Sequence, residues 1–191
     1  MESTQTTKVV LFDLDNTLFD HHHSLRSAIS AVQEKYASLA GNKPEDLIAR
    51  YNSALQRAYD KYLCKEITYE ETDIIKIQLF FTQLGLPEPT PEEASEFRAI
   101  YKPAYRANRR ATTGSIETLI RLREHGYRLA IISNGQSEDQ QAKAEAIGLR
   151  PLVDRIFTSE EVGCCKPDRR IFQFAIEALG ASAHMTHMHG G

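Results

Sequence analysis

Apolar positions along this chain follow two different rhythms, and the change between them falls near residue 110. From Leu25 to Tyr105 they recur every three or four residues, the spacing that lines one face of an α-helix. Leu25, Ile29, Val32, Tyr36 and Leu39 make a first stripe over residues 24–40, which Gly41 ends. Pro44 opens a second helix, with Leu47, Tyr51, Leu55, Ala58 and Tyr62 along one face. Thr68 and Glu71 form a capping box at the head of a third, which runs through Ile77, Phe80 and Phe81 to Gly85. A fourth starts with Thr90, Pro91 and Glu93 as a second capping box, and Pro103 is expected to kink or interrupt it. The aromatic stripes of this region are read as core, because such stripes at helical spacing usually pack inward.

Outside that region apolar runs alternate with helical stretches. Residues 9–12, 127–132 and 153–157 read as buried strands, and residues 115–125, 137–147 and 171–179 as helices closed by Gly126, Gly148 and Gly180. Strands without a polar face belong to parallel sheets covered on both sides. The fold class is therefore α/β, a doubly wound parallel sheet built from residues 1–20 and 111–191. A four-helix insertion over residues 21–110 interrupts it after the first strand.

Composition narrows the picture modestly. The chain has 191 residues, 41% hydrophobic and 26% charged, which suits one domain with an insertion. A net charge of −3 and the lack of a basic run give no reason to expect nucleic acid or an anionic membrane as partner. No apolar stretch is long enough to span a bilayer and the first eight residues are polar, so neither a membrane helix nor a signal peptide is expected. Cys64 and the adjacent Cys164 and Cys165 make a poor disulfide framework, which points to a reducing compartment, cytoplasmic or nuclear. His21, His22 and His23 read as a polar hinge rather than a metal site, since consecutive residues share no face.

Candidate chemistry gathers at strand ends, where open α/β sheets place their sites. Asp13 and Asp15 follow the first strand and would lie on one side of an extended chain. Two carboxylates that close repel unless one is protonated or a cation lies between them. The pair suits a Mg²⁺ site, a nucleophile with a general acid, or both; the plainer reading is a turn with a helix-capping aspartate. Ser133, with Asn134 and Gly135 behind it, ends the second strand, where a hydroxyl and turn N–H groups suit a phosphoryl group. Lys166 stands before a helix, where the helix dipole mildly disfavours a cation. Arg106, Asn108, Arg109 and Arg110 are a basic exit from the insertion, read as a solvated helix end in preference to an anion contact.

Asp13-Leu14-Asp15-Asn16-Thr17-Leu18 resembles the first motif of the haloacid dehalogenase (HAD) superfamily. Ser133 resembles its second motif, and Gly163 to Phe172, with Lys166-Pro167-Asp168 inside, resembles its third. The resemblance runs from Val9 to Gly180. It implies an Mg²⁺-dependent phosphatase acting on a small phosphorylated metabolite, a nucleotide or sugar phosphate, through an aspartyl-phosphate. Asp13 would be the nucleophile, Asp15 the acid and base, and Lys166 the charge-balancing cation. Ser133, Asn134 and Lys166 would hold the phosphate; the carboxylate of Asp13 and the backbone carbonyl of Asp15 would bind the metal. The helical insertion resembles the C1 cap, and the opening motif looks most like pyrimidine 5′-nucleotidases and N-acylneuraminate-9-phosphatase relatives. Asp15 argues against the dehalogenase branch. The family's fourth motif ends an apolar strand in Gly-Asp, whereas here His184 to Gly191 puts Gly191 where that metal-binding aspartate is expected. A frayed or truncated fourth strand and a weakened metal site are expected, and the rival reading is a catalytically impaired or truncated HAD-like binding protein.

Overall fold

In the computed structural model, which describes residues 8–190, Val9–Phe12 form strand β1 with all four side chains buried. Those residues divide into two compact units. Residues up to His21 join those from Arg109 on, and His22–Asn108 form the other unit.

The second unit is helical, as the spacing of its apolar residues predicts. It comprises α1 (His21–Lys35), a 3₁₀ turn (Ala37–Leu39), α2 (Pro44–Leu63), α3 (Tyr69–Gln83) and α4 (Pro91–Ala107). Both capping boxes form, with Thr68 and Thr90 accepting the N–H groups of Glu71 and Glu93. Three details depart from expectation. The histidines open α1 instead of making a hinge. The first stripe breaks at Lys35 and resumes as the 3₁₀ turn, so Tyr36 joins two elements. Helix α4 is not interrupted at Pro103, whose missing donor falls in the last part of the helix. The core is strongly aromatic. Phe97 is fully buried, with ring centroids 6.0 Å from Tyr51, Phe80 and Phe81, and Tyr51 stacks on Tyr101 at 4.8 Å.

At the edge of that core Asp73 accepts from three cations, Lys76, Arg98 at 2.8 Å and Lys102 at 2.9 Å. Burial alone would raise its carboxyl, but the lysines outweigh burial and hold it down to about 2. Burial lowers the Lys76 ammonium even though Asp73 pulls the other way. With three cations on one carboxylate, the Asp73 direction governs behaviour in acid.

The first unit contains α5 (Ser115–Glu124), β2 (Arg128–Ser133), α6 (Ser137–Ala146), β3 (Arg155–Thr158), a short α7 (Ser159–Val162) that the sequence pattern does not reveal, α8 (Arg169–Ala178) and β4 (Thr186–His189). All pairings are parallel and the order is β3-β2-β1-β4. Val9, Leu11, Ala130, Ile132 and Phe157 supply one face, packed on Ile171, Ala175 and Leu179. The fourth strand is short and lies on the sheet edge with His187, Met188 and His189 exposed, but it is in register, Val9 opposite Thr186 and Phe12 opposite His189. Parallel register brings Phe12, Ser133, Thr158 and His189 to one edge of the sheet. The site is built there.

Candidate active site

Strand β1 stops at Phe12, and after Asp15 the chain closes a tight turn. The carbonyl of Leu14 accepts N–H groups from Leu18 at 3.0 Å and Phe19 at 2.9 Å, while the Asn16 N–H reaches the Phe19 carbonyl at 2.8 Å. Asn16 takes a left-handed conformation, φ 63°, which asparagine tolerates better than most residues. Asp13 is anchored separately, its N–H bonded to the His189 carbonyl at 2.9 Å. The two carboxylates, whose repulsion the sequence raises, each meet a cation. Each carboxylate has its own lysine.

Lys166 Nζ lies 2.5 Å from Asp13 Oδ1, both side chains being largely buried. The backbone of Lys166 is gripped by Asn134, whose Oδ1 accepts the Lys166 N–H at 2.7 Å and whose Nδ2 donates to the Lys166 carbonyl at 3.1 Å. The side-chain amide of Asn134, a residue expected at the phosphate, fixes the lysine. The buried Ser133 hydroxyl donates to Gln140 Oε1 at 3.2 Å, and the Gly135 N–H donates to Ser159 Oγ at 2.9 Å. Gly135 suits this position, because at φ 151° a side-chain-bearing residue is strained and a Cβ would push the Gln140 amide, 2.3 Å away, off Ser133.

Lys143, on α6, donates to Asp15 Oδ1 at 2.7 Å and Oδ2 at 2.9 Å. Sequence reasoning missed it, because a lysine in the last turn of a polar helix reads as an ordinary dipole partner. Gln140, three residues before it, was missed because a glutamine on a polar helix reads as solvated surface. The expected basic exit serves structure: Arg110 pairs with Asp20, Arg109 donates to the Ala142 carbonyl at 3.2 Å, and Asn108 donates to the Ala104 carbonyl at 2.8 Å. Gly190, φ 128°, closes the floor, leaving no room for a Cβ against Asp13. Gly191 lies outside the described residues.

Among the described residues, no three His, Cys, Asp or Glu side chains gather as a ready metal cluster. The donors present still fit a hard ion such as Mg²⁺, which takes oxygen ligands and is commonly held by one or two carboxylates, with water and substrate phosphate completing the octahedron. Asp13 supplies a carboxylate. Lys143 occupies both oxygens of Asp15, which leaves its main-chain carbonyl as the fitting donor.

A parallel α/β sheet with a carboxylate at the tip of its first strand, a lysine against it and a second carboxylate two residues on describes a class of hydrolase. Residues 7–190 match the family model "haloacid dehalogenase-like hydrolase", and the chain belongs to that family. It is 28% identical over 194 residues to a glyceraldehyde 3-phosphate phosphatase of Methanothermobacter thermautotrophicus, covering 96% of this chain and 76% of the relative. A shorter stretch of 67 residues is 40% identical to a pyrimidine 5′-nucleotidase of Escherichia coli, 35% of this chain and 29% of the relative. Among solved structures, the HAD-hydrolase YfnB of Bacillus subtilis shares the fold with a TM-score of 0.72 at 22% identity, over 96% of this chain and 78% of that one. No helix among the described residues is long and apolar enough to cross a membrane.

Proposed function

We propose that this chain is a phosphatase for small phosphorylated metabolites, sugar phosphates or nucleotides, working through an aspartyl-phosphate on Asp13. The observation that carries the reading is the Asp13–Lys166 pair at the tip of β1, with Asp15 beside it in the same turn. The relatives' named activities, on a triose phosphate and on pyrimidine nucleotides, support the substrate class.

In the first half-reaction an Asp13 oxygen attacks phosphorus and the bond to the leaving oxygen breaks. The Asp15 carboxyl gives that oxygen its proton. In the second half-reaction water loses a proton to Asp15 and its oxygen bonds to phosphorus, releasing Asp13. Lys166 balances charge on Asp13 and the phosphoryl oxygens throughout. Ser133 turns its proton from Gln140 toward a phosphoryl oxygen, and Asn134 contributes by keeping Lys166 in place. The Asp13 carboxylate and the Asp15 carbonyl would hold Mg²⁺, which would supply further neutralisation of phosphate charge. The helical segment 21–110 would act as the cap that closes small-molecule sites to water.

Phosphate release from p-nitrophenyl phosphate, with and without Mg²⁺, tests the reading beside an Asp13→Asn variant. The variant is expected to lose roughly three or more orders of magnitude in kcat while melting as the parent does. Equal turnover in both proteins would end the nucleophile assignment.

A further inference from the structure

Lys143 is the feature of this site that neither the motifs nor the proposed mechanism calls for. Its ammonium is held between two partners. On one side it donates to both oxygens of Asp15, and on the other it lies 5.4 Å from the centroid of the Phe19 ring. The lysine side chain is only 12% exposed and Asp15 30%, so this is not a loose surface pair. Taking two charged groups out of water is costly unless geometry repays it, and a capping aspartate would need no such partner. Phe19 itself is fully buried and its backbone carbonyl accepts the Asn16 N–H, so ring, turn and lysine form one rigid assembly.

We propose that Lys143 is the positioning residue for the acid–base carboxylate, an inference that rests on the phosphatase reading above. Bonds to both oxygens fix the plane of the Asp15 carboxyl, so that one oxygen is aimed at the leaving group in the first half-reaction. After Asp15 has given up its proton, the same ammonium lies beside the negative charge that appears. The same contact holds the carboxylate in place to take a proton from water in the second half-reaction. Lys143 touches neither phosphorus nor leaving group; it acts through Asp15.

The test separates leaving-group assistance from general damage. Phenyl phosphate and p-nitrophenyl phosphate have nearly the same shape, but nitrophenolate departs without a proton whereas phenolate benefits from one. The intact chain is compared with Lys143→Met and Lys143→Arg, with thermal melting alongside. In Lys143→Met, kcat/KM on phenyl phosphate is expected to fall about 100-fold. On p-nitrophenyl phosphate it should move by less than about threefold, because kcat/KM reports the steps up to the first irreversible one. Slow attack by water should then appear as a burst of nitrophenol. Lys143→Arg, which keeps the charge, should recover about tenfold or more of the loss on phenyl phosphate. An equal fall on both substrates, or no fall on phenyl phosphate, would overturn the proposal while leaving the phosphatase reading intact. If Lys143→Met does not fold, Lys143→Gln gives the same ratio between substrates. A parent chain that releases phosphate from neither compound would instead sink the phosphatase reading, and this inference with it.

Discussion

Gly190→Ala probes how tightly the floor of the site holds Asp13. At Gly190 the backbone sits at φ 128°, where side-chain-bearing residues are strained at a cost of about 1–3 kcal/mol. A Cβ there would lie 2.5 Å from Asp13 Cβ, 2.9 Å from Thr17 Oγ1 and 3.3 Å from the Asp13 nitrogen. Ordinary contact begins at 3.4 Å, so about 0.9 Å must open on the Asp13 side. The obstacle is not a flexible tip, because Asp13 Cβ is fixed by a main chain already bonded to the His189 carbonyl. The strain is relieved either by Asp13 moving relative to Lys166 or by the exposed Gly190 moving away, and only the first harms turnover. A misplacement of about 1 Å in a reacting group costs on the order of 100-fold. The expected result is a kcat/KM on p-nitrophenyl phosphate lower by about 100-fold, with unfolding free energy in urea lower by about 2 kcal/mol.

Gly148→Ala is the control. Gly148 also has a positive φ, 74°, but a Cβ there would meet nothing within 4 Å. It should lose about 1 kcal/mol and keep its turnover. Activity within about twofold of the parent in Gly190→Ala, or an equal loss in Gly148→Ala, would refute the idea that close approach at Gly190 sets the position of the nucleophile.

Two further predictions concern the helical unit. Phe97→Ala empties the centre of the aromatic cluster and should cost roughly 3–5 kcal/mol, read as a lower urea midpoint; a loss under about 1 kcal/mol would mean the cluster collapses freely around the gap. Asp73 has a folded value of about 2 against 3.8 for the free group, so its stabilisation is complete above 3.8 and disappears as pH falls through about 2. Because Arg98 and Lys102 are partly exposed and screened, the gap in unfolding free energy between the parent and Asp73→Asn should be at most about 2 kcal/mol near neutral pH. It should shrink steadily below pH 3.8, and a gap independent of pH would show that the ion cluster contributes nothing.

How much of this was legible in the sequence depended on whether the information was local. Val9–Phe12 announces a strand because four consecutive apolar residues leave no exposed face, and the capping boxes at Thr68 and Thr90 are complete within four residues. Strand β4 carries no such signal. Thr186–His189 is polar and mostly exposed, and it is ordered by the edge of β1 rather than by its own burial. The same holds at the site. Asp13, Asp15 and Lys166 stand out through motif and order, but the partners that orient them do not. Asn134 finds Lys166 across 32 positions and Lys143 finds Asp15 across 128. The tight turn that follows Asp15 was not legible either, since it is closed by hydrogen bonds between Leu14, Asn16, Leu18 and Phe19.

The two lysine–carboxylate pairs also bear on the place of a metal in the proposed mechanism. Before substrate binds, Lys166 faces Asp13 alone, and Lys143 lies against Asp15. A phosphate monoester brings on the order of −1.5 to −2 further charge at neutral pH. When Asp15 transfers its proton to the leaving group, Lys143 is already beside it, so Lys166 alone faces both the phosphoryl oxygens and Asp13. One ammonium does not balance a dianion, and the imbalance is felt most strongly where water is excluded. A divalent cation on the Asp13 carboxylate and the Asp15 carbonyl would remove that deficit without disturbing either lysine. The proposed site therefore calls for two lysines and a divalent ion together, and phosphate release in the Asp13 assay is expected to collapse when Mg²⁺ is withdrawn.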